Sequence, residues 1–150
     1  MRVYSLHAEQ IVAKSLDEVF SFFDRPENLE RLTPPSLGFQ VLTPKPLTMK
    51  EGALIDYTIR IWGVPLHWRT LITAYEPPHR FVDEQLKGPY AFWHHTHTFT
   101  EVEGGVNIED HVRYAMPFGW LGQAVHAIYV QRDLQRIFNH RKQIVDDLFR

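Results

Sequence analysis

The stretch Trp93-His94-His95-Thr96-His97-Thr98-Phe99 places three of the chain's nine histidines within four positions, between two aromatics. Imidazoles at that density suit three chemistries. His-x-His on a strand presents two rings side by side and could ligate a metal, with Asp110 as a third ligand. A histidine oriented by a carboxylate can act as a general acid or base, because the acid fixes the ring and raises its pKa. Histidines paired to acids also serve as a hydrogen-bonded polar ladder in an apolar wall, since buried polar groups must be paired. No fourth ligand or acidic cluster completes a metal set, so neither metal nor cofactor is expected. No serine stands in an identifiable nucleophile elbow and the chain has no cysteine, which argues against acyl-enzyme chemistry.

Alternation decides which of these side chains can meet. On a strand over residues 91–102, Trp93, His95, His97 and Phe99 share the more aromatic, inward face. On the next strand, Ile108, Asp110, Val112 and Tyr114 form one face, while Asn107, Glu109, His111 and Arg113 form the solvent face. A Gly104-Gly105 centre predicts a two-residue type I′ turn. That register sets Phe99 opposite Asp110, His97 opposite Val112 and His95 opposite Tyr114, with Asp110 the diagonal neighbour of His97. His94 and His111 then point outward. The candidates for chemistry reduce to His95, His97 and Asp110, beside Trp93 and Tyr114.

These residues need a scaffold, and the rest of the chain supplies one. Residues 4–12 carry the branched and aromatic side chains of a strand. Ser15-Leu16-Asp17-Glu18 reads as a capping box, and Leu16, Val19, Phe20 and Phe23 then share one helical face ending before Pro26. Residues 26–32 form a second short helical piece. From residue 39 the period becomes alternating, giving strands over 39–42, 54–61, 67–75, 81–86, 91–102 and 107–114 in an antiparallel meander. Which way the strands over 67–75 and 81–86 face is left open by their patterns. After Pro117, Ala127, Val130, Leu134, Ile137, Phe138, Arg141, Ile144, Val145 and Leu148 mark one stripe of a helix about 25 residues long. A buried Arg141 would need a carboxylate, with Asp17, Asp83 and Asp110 as candidates.

The expected architecture is α+β, a curved seven-stranded antiparallel sheet with the long C-terminal helix across it and two short helices between strands 1 and 2. One helix cannot fill a strongly curved sheet, so a cavity between them is expected. Turns over 43–51, 76–80 and 103–106 gather at one end of the sheet, and those over 62–65, 87–90 and 116–121 at the other. The second end is the apolar one. Trp62, Tyr90, Phe118 and Trp120 are therefore expected at a cavity mouth.

Composition limits the function further. At 150 residues, 44% hydrophobic and formally −2 in charge, the chain reads as one domain spanning residues 1–150 with no electrostatic footprint for nucleic acid. No apolar run approaches the ~20 residues that span a bilayer. Met1-Arg2-Val3-Tyr4 runs into strand-like sequence without a basic-then-apolar leader, so a cytoplasmic location is expected.

Several local stretches also carry a family resemblance. They are Pro26-Glu27-Asn28-Leu29 with Thr33-Pro34-Pro35, Glu76-Pro77-Pro78-His79-Arg80-Phe81-Val82-Asp83-Glu84-Gln85, and Gly88-Pro89-Tyr90. Trp93, His95, His97 and Phe99 follow, then Asp110, Val112 and Tyr114 with Pro117 and Gly119, and Ile137-Phe138 with Arg141. Together they resemble the small bacterial ligand-binding members of the START-like superfamily, also called SRPBCC or the polyketide cyclase and lipid-transport superfamily. The resemblance implies a helix-grip fold and a hydrophobic cavity without fixing a ligand. The two-histidine, one-carboxylate pattern of Rieske-type oxygenases is absent, so iron is not implied.

The leading expectation is a protein that binds a hydrophobic or amphipathic small molecule. Tyr57, Trp93, Val112 and Tyr114 would supply apolar contact, while His95, His97 and Asp110 would orient a polar group. The alternative is a cyclase- or dehydratase-like enzyme using His95 or His97, with Asp110, as general acid/base in the same cavity. A third reading is an interaction module that presents the aromatic end to a protein partner.

Overall fold

Ser15 starts the first helix as its position in a capping box requires. Its hydroxyl accepts from the Glu18 amide at 3.2 Å and donates to the Glu18 carboxylate at 3.2 Å. This helix, α1 (Leu16–Phe23), buries Leu16, Val19, Phe20 and Phe23. The computed structural model describes residues 2–44, 47–61 and 63–150. Strand β1 (Val3–Val12) precedes α1, and a 3₁₀ turn (Pro26–Asn28) follows it, running into the short α2 (Leu29–Leu32). The strands β2 (Gln40–Val41), β3 (Leu54–Ile61), β4 (Val64–Glu76), β5 (Arg80–Lys87), β6 (Phe92–Val102) and β7 (Gly105–Ala115) come next. Helix α3 (Gly119–Val125), a π turn (His126–Val130) and α4 (Gln131–Leu148) then form one long C-terminal helix.

The seven strands make one antiparallel sheet in the order β1-β7-β6-β5-β4-β3-β2. Consecutive strands neighbour one another from β2 to β7, and β1 closes against β7 with Tyr4 opposite Tyr114 and Val12 opposite Val106. With the long helix gripped by the curved sheet, this is the expected helix-grip fold.

The β6–β7 register differs from the expected one by two residues. Val102 pairs with Gly105, His97 with Asp110, His95 with Val112 and Trp93 with Tyr114. The turn is therefore Glu103-Gly104, and only Gly104 in it takes a positive φ, of 88°, whereas type I′ needs two. Gly105 belongs to the strand because β1 passes against it. A Cβ there would lie 1.9 Å from the Val12 carbonyl oxygen. A two-residue shift preserves facing, so the inward and outward sets stand as expected.

The long helix also departs from a plain 3.6-residue stripe at its start. Gly122 and His126 are buried and Val130 half-buried, followed by buried Leu134, whereas Ala127 is exposed. Positions four apart drift by about 40° per step on an ordinary helix; the π turn takes up that drift and holds the four on one face. His126 is fixed there by Tyr114, hydroxyl to Nε2 at 2.8 Å, and by stacking on Tyr4 with ring centroids 3.5 Å apart.

The core divides into two clusters. One joins α1 to the β6–β7 hairpin end of the sheet, through Phe20, Phe23, Phe81, Phe99, Ile108 and Val145 among others. The other contains Ile59, Trp68, Trp93, Val112, Tyr114, Leu134 and Phe138. Along β6 the order is Trp93, His95, His97, Phe99, and along α4 it is Leu134, Phe138, Arg141, Val145. Both elements place their polar residues between the two clusters.

Candidate functional site

A cavity of ≈ 190 Å³ lies between the sheet and the C-terminal helix. Strands β3, β4 and β6 contribute Tyr57, Trp68 and Trp93, the loop before β6 contributes Tyr90, and α4 contributes Leu134, Ile137 and Phe138. Phe23 from α1 and Leu29 and Leu32 from α2 close another side. The aromatic walls touch one another: Trp68 meets Trp93 edge-on at 5.3 Å and stacks on Tyr57 at 5.8 Å, and Tyr90 lies 4.8 Å from Trp93. Such rings hold a concave surface open because they are rigid and brace one another.

The polar floor is built from β5, β6, β7 and α4. Pairing of β5 with β6 sets Asp83 opposite His95, and pairing of β6 with β7 sets Asp110 opposite His97. Each histidine hydrogen-bonds to the acid diagonal to it. His95 Nε2 donates to Asp110 Oδ1 at 2.8 Å, and His97 Nε2 donates to Asp83 Oδ2 at 2.6 Å. A carboxylate only accepts, so Nε2 carries the proton in both rings. The remaining nitrogens face the other acid at longer range, His95 Nδ1 3.8 Å from Asp83 and His97 Nδ1 3.5 Å from Asp110. The two imidazoles stack at 3.7 Å, and Phe81 stacks on His97 at 4.1 Å.

Arg141 completes the floor. Its NH2 group donates to Asp110 Oδ1 at 3.1 Å, which selects Asp110 from the three acids the sequence offered. The guanidinium lies over the rings of Phe23 and Phe138, 5.2 and 5.8 Å from their centroids.

Electrostatics follow from this packing. Burial alone would raise the Asp110 carboxyl, but Arg141 and then His95 hold it well below the usual carboxylate range. Asp83 is likewise lowered: burial opposes its charge, and the neighbouring histidines and Arg141 outweigh burial. For His97 burial dominates, and with the neighbouring His95 it depresses the imidazole to about 4 despite Asp83. His97 is thus neutral at pH 7. Its Nδ1 is a buried acceptor with no hydrogen-bond partner among the described residues, and the Trp68 indole N–H is a buried donor in the same condition.

Of the residues singled out in the sequence, Tyr57, Trp93, His95 and His97 line the cavity. Asp110, Val112 and Tyr114 are buried but do not line it; Asp110 acts behind the floor, on His95 and Arg141. Tyr90 lines the cavity, whereas Phe118 and Trp120 do not. They are 82% and 79% exposed on the outside of the molecule. Trp62 lies outside the described residues. Sequence reasoning misses Asp83 and Trp68 as lining residues, because the patterns of β4 and β5 do not resolve which way they face.

The ligand atoms of Asp83, His95 and His97 lie within 4.8 Å of one another, so Asp83 rather than Asp110 completes a possible metal triad. The details disfavour an ion. The 2.6 Å between His97 Nε2 and Asp83 Oδ2 is shorter than the about 2.9–3.4 Å separating two ligands each 2.0–2.1 Å from one ion. The stacked rings also direct their Nε2 protons at two different carboxylates. A second group, His7, Glu9 and Glu109, lies on the outer face of the sheet.

A helix-grip fold with an aromatic-walled cavity and a buried polar floor defines a class of ligand-binding scaffold, and comparison with known proteins agrees. Residues 4–145 match the model of the polyketide cyclase/dehydrase and lipid transport family, and the chain belongs to that family. No curated protein matches the chain. Among solved structures, the chain is similar to protein Ms6760 from Mycobacterium smegmatis, at 19% identity and a TM-score of 0.67, covering 99% of this chain and 96% of that one. TTHA0849 from Thermus thermophilus is similar at 12% identity and a TM-score of 0.75, with 96% and 95% covered. The di-domain ARO/CYC StfQ from the steffimycin biosynthetic pathway matches at 12% identity and a TM-score of 0.75, over 98% of this chain and 50% of that one. At these identities the likeness concerns the fold. No helix among the described residues is long and apolar enough to cross a membrane.

Proposed function

We propose that this protein binds one amphipathic small molecule in the cavity beneath α4, holding it without converting it. The observation that carries this reading is the contrast within the cavity lining, where aromatic and aliphatic walls surround one compact polar floor. Burying an apolar body against Tyr57, Trp68, Trp93 and Phe138 supplies affinity, at about 25 cal/mol per Å² removed from water. The floor groups, Asp83, His97 and Arg141, orient the ligand's polar end. The Trp68 N–H, a buried donor without a partner among the described residues, on a residue that lines the cavity, is a group that a ligand could satisfy.

A second reading has its own observation. His97 and Asp83 form a close imidazole–carboxylate pair at the cavity surface, as a general acid/base would need. One similar structure is an ARO/CYC protein, which is compatible with that chemistry. The low His97 pKa makes it a weak base at neutral pH, and on this ground the non-catalytic reading is preferred.

The test is native mass spectrometry of the chain purified from its own host. One small molecule should be retained by the wild type and lost from an Ile137→Trp variant whose added ring fills the cavity. Retention by the filled variant, at an unchanged mass shift, would place the molecule elsewhere.

A further inference from the structure

The floor of the cavity holds one more carboxylate than guanidinium. Asp83 and Asp110 face the single Arg141, so the second carboxylate must be balanced by the histidine pair or by a ligand. Arg141 is engaged by Asp110 and by the faces of two phenylalanines. Asp83 is the carboxylate of this group that lines the cavity, and its hydrogen bond comes from the imidazole N–H of His97. A buried carboxylate is costly unless positive charge is held near it. One proton on the stacked imidazoles would balance it, and a cation entering from the cavity would take that proton's place.

The walls suit an organic cation. Trp68, Trp93, Tyr57 and Tyr90 line the cavity as a braced set of π faces, which attract ammonium groups. A second acid, Asp133, lies in the lining on α4, where Arg136 already pairs with it at 2.7 Å. The negative charge of Asp83 is felt within this cage: after burial, it is the next cause raising the Tyr57 phenol above its ordinary value. Size narrows the class. A dry cavity of about 150 Å³ holds benzene, so ≈ 190 Å³ accommodates one ring with a short side chain.

We infer that the ligand is a small aromatic amine, a single ring bearing a short chain that ends in a protonated nitrogen, with the ammonium group on Asp83 and the ring between Trp68 and Trp93. This rests on the reading of the cavity as a ligand site and adds the charge of the ligand to it. An acidic ligand would bring a further negative charge beside Asp83, and a metal ion would have to open the His97–Asp83 hydrogen bond.

Three probes of nearly equal size test it by calorimetry on the intact chain: 2-phenylethylamine, 2-phenylethanol and phenylacetate. The amine should bind at least about tenfold more tightly than the alcohol, and the carboxylate should bind most weakly. Asp83→Asn should erase the preference for the amine while the alcohol still binds; Asp133→Asn should leave the preference in place. Equal binding of amine and alcohol, or tightest binding of phenylacetate, would overturn the inference and leave the cavity reading standing. A preference that survives Asp83→Asn would overturn it too. If neither the three probes nor toluene bind, the cavity reading fails along with it. Should Asp83→Asn not fold, the wild-type ranking of the three probes decides alone. Finally, Zn²⁺ added to the chelator-treated chain should not displace the amine; displacement would make the floor a metal site and sink the proposal.

Discussion

The two halves of the core use similar residues for opposite ends. In the half beside α1, Phe20 and Phe23 interlock with Phe99 at 5.3 and 5.4 Å, and Val19, Val106 and Val145 are fully buried around them. Of that cluster, Phe23, Leu32 and Phe81 border the cavity and the other buried residues do not. In the other half, Ile59, Trp68, Trp93, Leu134 and Phe138 all border it. Helix α4 serves both, sealing one half with Val145 and roofing the other with Leu134 and Phe138. The histidines, Asp83, Asp110 and Arg141 lie between. The place of the cavity, more than hydrophobicity, thus separates the half that holds the fold together from the half left open, and the buried polar band marks the boundary.

That contrast can be broken from either side. The largest effect is expected in the sealed half. Phe99→Ala removes a ring that is 1% exposed and should cost about 3–5 kcal/mol in chemical denaturation, with ligand affinity unchanged once the protein is folded. At the boundary, Arg141→Ala leaves the Asp110 charge buried without its guanidinium and should cost a comparable ~3–5 kcal/mol. Adding Asp110→Ala to Arg141→Ala should recover part of that loss, because the orphaned charge is then gone. A double variant no more stable than Arg141→Ala would show that packing of the arginine stem, rather than the ion pair, is what the fold requires.

Acid should separate the boundary from both apolar halves. His97 has a folded pKa of about 4, below its unfolded value of 6.5, so the unfolded chain takes up a proton first as pH falls. Stability should decline between about pH 6.5 and about pH 4, by on the order of 3 kcal/mol from this group, and then level off for it. Asp83 and Asp110 have lowered folded pKa values, so their contribution is present above the ordinary 3.8 and is lost as pH falls below it. Denaturation midpoints measured across this range should slope for the wild type and slope less above pH 4 for His97→Gln, the remainder coming from His126, which burial also lowers. An equal slope in that variant would assign the acid sensitivity to other groups.

Much of this architecture is legible in the sequence, and the losses have physical causes. The capping box, the alternating hairpin and the apolar stripe of the last helix specify local geometry through side chains a few positions apart. Faces on β6 and β7 follow from alternation alone, which is why Trp93, His95 and His97 are found inward. The register does not follow, because Gly105 is required by the approach of β1, a strand about a hundred residues earlier in the chain. Asp83 is hidden because Phe81 and Val82 are adjacent and both buried, so β5 shows no clean alternation. A register shift between Ile72 and Ala74 further disturbs the pairing of β4 with β5. Phe118 and Trp120 show the opposite failure: apolar character marks them as notable but does not say which side of the helix they will occupy.

The smallest expected effect concerns metal. Elemental analysis of the purified chain should find no stoichiometric ion, because the histidine–aspartate spacing is that of a hydrogen bond. About one equivalent, lost in a His95→Ala/His97→Ala double variant, would reverse that conclusion.

Binding without conversion is the central claim, and His97→Ala tests it most directly when calorimetry and product analysis are run together on the molecule that copurifies with the wild type. Loss of one polar contact should weaken binding by ~0.5–1.5 kcal/mol, or up to ~3 when the ligand group is charged, and no product should form with either protein. Trp93→Ala, run alongside, should weaken binding at least as much. The contradicting result is turnover by the wild type that slows ~10²–10⁴-fold in His97→Ala while binding stays intact.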